Sequence, residues 1–167
     1  FEFIRNKFSD GYSFFSNTLK FSGIGESSVA EEINDLLNLK NPTVAPYANL
    51  GEMKLRITAR AKNDIDAQNI IKPVKEKLTK KFSKFIFGED HDTLPSVLIK
   101  ELAKKKETIV FAESCTGGLL SSSITSISGS SQVFKGSIVS YSNELKNSLL
   151  NISEEKLTKY GAVSEEI

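Results

Sequence analysis

The sequence predicts an α/β protein in two parts, a compact β-α-β-β-α-β unit followed by the strands and helices of a parallel-sheet domain. Three observations point there. Residues 53–60 alternate apolar and polar side chains with a strict period of two. Apolar residues recur at helical spacing around 29–37 and 67–78. A β-branched run at 108–112 then turns through small and hydroxyl residues into a further helical pattern.

In the first part, residues 1–7 are too short to classify, and Ser9-Asp10-Gly11 reads as a turn. Residues 12–21 are rich in Phe and Thr and read as a strand, broken by Gly23-Ile24-Gly25. Ser28 and Glu31 have capping-box spacing, and Val29, Ile33, Leu36 and Leu37 give one apolar stripe of a helix that Asn41-Pro42 ends. Residues 43–47 and 53–60 are expected to pair as a hairpin across Asn49-Leu50-Gly51. In the second of these strands Met53, Leu55, Ile57 and Ala59 alternate with Lys54, Arg56, Thr58 and Arg60, so one face is buried and one is wet. Asn63 or Asp64 caps the next helix, with Ala67, Ile70, Ile71, Val74 and Leu78 inward, and Pro73 should kink it or mark a later start. Residues 82–87 read as a short last strand, and the polar run at 88–92 as a boundary. The expected organisation is an upstream linker or tail at 1–11, a first domain at 12–90 and the first part of a second, truncated one at 91–167.

In the second part, Asp92 or Thr93 caps a helix with Pro95 in its first turn and Leu94, Leu98 and Leu102 on one face. Lys104-Lys105-Lys106 suits the negative end of its dipole. The strand at 108–112 follows, then a helix marked by Leu119, Leu120, Ile124 and Ile127. Residues 128–131 form a loop, Gly136 a break, 137–140 a strand, and 143–150 a helix with Leu145 and Leu149 inward. A last helix starts near Ser153 and ends at Tyr160-Gly161, and Ser164-Glu165-Glu166 reads as a cap opening another. The chain starts at Phe1 and its one methionine is Met53, so a piece of a longer protein is expected.

Composition narrows the function classes. The net charge of +1 gives no global attraction to nucleic acid or anionic membranes. A single cysteine excludes an internal disulfide framework and a multi-cysteine zinc site. No run approaches the roughly 18 apolar residues of a membrane span. Nothing at the N-terminus reads as a signal peptide.

A helix joins the strands at 108–112 and 137–140, and a strand–helix–strand crossover makes parallel strands. Parallel strands end on one edge, where ligands of such sheets bind. Ser114, Tyr141 and Lys146 are thereby predicted to face one pocket. A serine hydroxyl needs a base, and the one histidine, His91, lies in an acidic linker. Lysine can serve when desolvation or a neighbouring cation lowers its pKa, and tyrosine can relay the proton. Backbone N–H groups where the helix starts after Gly117-Gly118 are placed to stabilise an oxyanion or hold a phosphate. Each signal also has a plain structural reading: a capped helix for the turn, a small packing residue for Cys115, a surface position for Lys146. Lys72, Lys75, Lys77, Lys80, Lys81 and Lys84 read as a solvated helix face rather than a nucleic-acid surface.

Four motifs taken together resemble the CinA family of competence/damage-inducible proteins. They are the stretch at 112–118, Ala-Glu-Ser-Cys-Thr-Gly-Gly; Gly129-Ser130-Ser131; Tyr141-Ser142-Asn143 with Lys146; and Gly161-Ala162-Val163-Ser164-Glu165. Upstream, Gly23-Ile24-Gly25-Glu26-Ser27, the stretch at 41–47 and the strand at 51–60 look like the family's central KH-like domain. The resemblance implies a nicotinamide-nucleotide amidase that converts nicotinamide mononucleotide to nicotinate mononucleotide and ammonia, with no metal and no cofactor. Ser114 matches the nucleophile, and Tyr141 and Lys146 match the groups that activate it in a manner similar to serine β-lactamases. Glu113, Cys115, Thr116, Gly117, Gly118 and Asn143 match positions that face the substrate. The resemblance further implies a cytoplasmic enzyme, homo-oligomeric in its full-length form, whose partner is a pyridine nucleotide and not a membrane or nucleic acid. Two other readings stand beside it. One is a nucleotide-binding module without turnover. The other is nucleic-acid binding by the KH-like unit, against which no Gly-x-x-Gly spacing occurs in residues 1–90.

Overall fold

The computed structural model describes residues 11–49 and 51–167. The readings of residues 1–7, of Ser9-Asp10 and of Leu50 lie outside the described residues. The chain divides into two compact units, the first ending at Thr93 and the second running over Leu94–Ile167. The α/β class is as the sequence predicts, with an antiparallel sheet in the first unit and a parallel strand pair in the second.

The first unit contains β1 (Ser13–Phe21), α1 (Glu26–Glu32), α2 (Asn34–Leu37), β2 (Thr43–Asn49), β3 (Glu52–Ala61), α3 (Asp64–Phe82) and β4 (Ile86–Glu89). Its sheet runs β2-β3-β1-β4 with every pair antiparallel. The period-two pattern sets the core: Met53, Leu55, Ile57 and Ala59 are all buried. Across the ladder Leu55 faces Leu19 and Met53 faces Phe21. Ala67, Ile71, Leu78 and Phe82 of α3 complete this core, with Phe82 edge-on to Phe21 at 5.8 Å between ring centroids. The Asn63 side chain caps α3 by accepting from the Asp66 amide at 2.9 Å. Leu55→Ala in this core should lower the unit's stability by about 2–5 kcal/mol, read by denaturant unfolding. A loss within error of zero would contradict the packing.

Several boundaries differ from expectation. Gly25, with extended backbone, is the N-cap of α1, so Ser28 lies inside the helix and forms no capping box. The expected single helix is divided at Ile33, whose φ of −118° and ψ of 19° leave the helical region. Val29, Ile33 and Leu36 are buried on both sides of that break. α3 runs through Pro73 without a later start. Phe82 closes α3 rather than opening a strand, because it lies four residues past Leu78 on the same inward face. The polar run after Phe87 is tied back to the sheet: Gly88 and Glu89 belong to β4, and the Asp90 carboxylate accepts from the Thr18 amide and the Asn17 side chain, each at 2.8 Å.

The second unit contains α4 (Leu94–Lys105), β5 (Ile109–Glu113), α5 (Leu119–Thr125), a 3₁₀ turn (Ser130–Gln132), β6 (Phe134–Val139), α6 (Asn143–Leu150) and α7 (Glu154–Tyr160). β5 and β6 are parallel, with Phe111 opposite Ser137 and Glu113 opposite Val139. Ile99, Ile124 and Val133 are buried together, flanked by Leu98, Leu102, Phe111 and Phe134. The inward stripe of α4 is therefore 98, 99 and 102, and Leu94 is exposed. Gly136 does not break the chain but sits within β6 at φ 134°, opposite a shift in register between Ile109 and Val110. Ser153 caps α7, accepting from the Lys156 amide at 3.3 Å. After Ser164 the chain makes a turn, with the Ile167 amide on the Ser164 carbonyl at 3.3 Å.

Candidate active site

Ser114 lies where β5 ends. The parallel ladder brings the last residues of both strands to one edge, and the Ser140 amide donates to the Glu113 carbonyl at 2.8 Å. α6 begins just beyond, with the Ser142 hydroxyl oxygen accepting from the Leu145 amide at 3.2 Å as its cap. Within that first turn Lys146 points back to the strand ends. Its Nζ lies 3.0 Å from Ser114 Oγ, 2.9 Å from the Ser140 carbonyl oxygen and 2.7 Å from that of Tyr141. An ammonium has three hydrogens, and here each has an acceptor.

The structure thus joins Ser114 to Lys146 across 32 positions of sequence. It also overturns the surface reading of Lys146, which is only 5% exposed. Leu145 and Leu149, expected inward, are 40% and 51% exposed instead. The reason is polar. Carbonyls at the end of β6 have left the strand ladder and need donors, and the lysine supplies them.

Tyr141 enters differently from expectation. What it gives Lys146 is its main-chain carbonyl, while the residue is 72% exposed. No hydrogen bond joins its hydroxyl to Ser114 or Lys146 among the described residues. A phenolic proton relay is not assembled in this structure.

Glu113 also departs from expectation. It is 3% exposed, and Oε2 accepts from the Leu120 amide at 3.0 Å. Oε1 accepts from the Ser121 amide at 2.9 Å and from the Ser121 hydroxyl. A residue expected against substrate therefore has both oxygens engaged within the protein. The Ser121 hydroxyl foremost, then the Ser121 amide, the Thr116 side chain and the Leu120 amide, hold its carboxyl down to about 2 against the opposing effect of burial. A carboxyl depressed below its ordinary 4.5 lends stability that is complete above that pH and is lost as pH falls toward about 2. Denaturant stability of the second unit should fall across this window, and the fall should be smaller in Glu113→Gln. Equal slopes in the two proteins would refute it.

These bonds decide what the start of α5 can do. The Leu119 amide bonds to the Thr116 carbonyl at 3.0 Å, those of Leu120 and Ser121 to Glu113, and that of Ser122 to the Gly118 carbonyl at 2.9 Å. The amides of Leu119 to Ser122 are all satisfied from inside, so at the helix start only the N-cap amide, that of Gly118, is open to an anion. In the turn itself Gly117 and Gly118 take positive φ, 58° and 96°, where a side chain is strained. The Gly117 amide bonds to the Ser114 carbonyl at 3.0 Å. The amides of Cys115, Thr116 and Gly118 have no partner among the described residues. Cys115, Thr116 and Gly117 are exposed, as is Asn143 at the start of α6.

Comparison with known proteins adds the following. Residues 91–167 match the family described as the CinA C-terminal domain, and residues 16–88 the Damage-inducible protein CinA KH domain. A CinA-like protein of Prochlorococcus marinus (strain MIT 9215) is 87% identical over 100% of this chain, which covers 39% of that protein. One from Gloeothece citriformis (strain PCC 7424) is 48% identical over 92% of the chain, covering 37% of its own length. The crystal structure of competence/damage inducible protein CihA from Agrobacterium tumefaciens is 38% identical over 44% of each chain, with a TM-score of 0.43. The chain thus spans about two fifths of the length of the curated relatives it matches.

Proposed function

This chain belongs to the CinA family, and on that premise we propose that it carries the catalytic residues of a nicotinamide-nucleotide amidase. The reaction is hydrolysis of the carboxamide of nicotinamide mononucleotide to nicotinate mononucleotide and ammonia. The observation that carries this reading is the buried Lys146 Nζ at 3.0 Å from Ser114 Oγ.

To act as a base the lysine must be the neutral amine, whose two hydrogens the carbonyls of Ser140 and Tyr141 can take, leaving the lone pair for the Ser114 proton. Ser114 Oγ bonds to the carboxamide carbon as its proton passes to Lys146. The C–N bond then breaks as that proton moves to the departing nitrogen, and ammonia leaves. Water attacks the resulting ester and gives one proton through Lys146 to Ser114 Oγ as the C–O bond breaks, and the acid is released, losing its other proton to solvent as the carboxylate. The unpartnered amides of Cys115, Thr116 and Gly118 are the donors at hand for the oxyanion. None of these steps requires a metal or a cofactor. The same reading makes the parent protein a cytoplasmic homo-oligomer acting in pyridine nucleotide salvage. No helix among the described residues is long and apolar enough to cross a membrane.

The test is ammonia and nicotinate mononucleotide formation by the full-length natural protein supplied with nicotinamide mononucleotide. Absence of turnover sinks the amidase. Tight binding without turnover would favour a nucleotide-binding module instead.

A further inference from the structure

Glu113 is the residue before the nucleophile candidate, yet it faces inward, and its contacts surround the turn that presents Ser114. Its main-chain carbonyl accepts from the Ser140 amide at 2.8 Å, at the end of β6. The carbonyl of that same Ser140 holds Lys146 Nζ at 2.9 Å. On the other side the Glu113 carboxylate takes the Leu120 and Ser121 amides and the Ser121 hydroxyl. One residue therefore closes the turn on itself, from position 113 to positions 120 and 121, and fixes its near end to the strand end that seats the lysine.

We propose that Glu113 is a positioning residue that sets Ser114 Oγ against Lys146 Nζ, and that it does not contact the substrate. The inference rests on the amidase reading only for its kinetic test. Four features argue for it. Both carboxylate oxygens are spent on α5, so neither is left for a ligand. The N-cap position, Gly118, has no side chain that could do this work, so the carboxylate is the cap of α5 supplied from seven residues upstream of its first bond. Negative charge at a helix start is favourable, which fixes the group as carboxylate rather than amide. The turn includes two glycines at positive φ and three amides without partners, so little else holds its shape.

A glutamine here keeps the volume but presents an NH₂ where an acceptor is needed. One of the three donors from Leu120 and Ser121 then loses its partner. Displacing a nucleophile by about 1 Å can slow chemistry on the order of 100-fold. The expected result for Glu113→Gln in the full-length protein is a kcat lower by about 100-fold with KM within about 2-fold. Glu113→Asp, too short to reach both amides, should not restore the rate. A rise in KM at constant kcat would overturn the proposal and make Glu113 a substrate contact, and unchanged kinetics would overturn it outright. Should Glu113→Gln fail to fold, Ser121→Ala carries the test, with an expected fall of about 3- to 10-fold in kcat for one lost hydrogen bond; no change in its kcat counts against the proposal.

A second readout needs no nucleotide. The rate at which phenylmethanesulfonyl fluoride labels Ser114 should fall in Glu113→Gln by a similar factor. If the natural protein labels at Ser114 but releases no ammonia, the amidase reading fails while the positioning role is still measured. Equal labelling rates in the two proteins overturn the positioning role, as does the absence of labelling in the natural protein.

Discussion

Ser114→Ala should leave the full-length protein without measurable ammonia release from nicotinamide mononucleotide, a fall of about 10,000-fold or more in kcat. The substitution removes one oxygen from a half-buried position at the end of β5 and leaves the Glu113 clamp on either side untouched. Lys146 loses one of its three acceptors and keeps the carbonyls of Ser140 and Tyr141. The melting temperature and the affinity for the nucleotide should therefore stay close to those of the natural protein. That combination, binding without turnover, separates loss of a nucleophile from loss of a fold. Retention of activity by Ser114→Ala would remove Ser114 as the nucleophile. Cys115 is the neighbouring nucleophile that such a result would implicate, since it is exposed in the same turn.

Much of the fold was legible because burial follows periodicity. The alternation from Met53 to Ala59 specified both the strand and its buried face, and the stripe Ala67, Ile71 and Leu78 specified α3. Errors fell where local signals conflict with packing. Ser28 and Glu31 have capping-box spacing, but Gly25 starts the helix earlier and places Ser28 inside it. Phe82 has strand propensity, yet its distance from Leu78 keeps it on the helix. Gly136 looked like a break because a lone glycine in sequence cannot be told from a glycine that absorbs a shift in register between paired strands.

The candidate site was legible at the level of topology and not at that of side-chain direction. A parallel crossover was enough to bring Ser114 and Lys146 to one edge, and they lie 3.0 Å apart. It could not tell that α6 buries its lysine and exposes Leu145 and Leu149, because that choice follows from two carbonyls that no residue-type pattern records. For the same reason the residue type of Tyr141 points to its phenol, whereas its carbonyl is the group in contact. Glu113 is the clearest case. A carboxylate beside a nucleophile suggests substrate or acid–base work, and only the missing side-chain cap at Gly118 hinted that the helix needed an acceptor from elsewhere.

Lys146→Arg is the substitution that most sharply tests what the lysine does. Arginine keeps the positive charge and can donate to the carbonyls of Ser140 and Tyr141, but its guanidinium stays protonated at any working pH. If Lys146 serves only by attracting developing negative charge, the arginine variant should retain substantial activity. If Lys146 takes the Ser114 proton, the arginine variant should lose on the order of 100- to 10,000-fold in kcat, as general-base loss does. Lys146→Met should be equally inactive and, in addition, less stable. It leaves the buried Ser140 carbonyl without its lysine donor, at about 1–3 kcal/mol. The two variants thus separate chemistry from support: kcat falls in both, whereas denaturant unfolding shows the larger loss in Lys146→Met. Near-normal turnover by Lys146→Arg would reassign the proton to another acceptor.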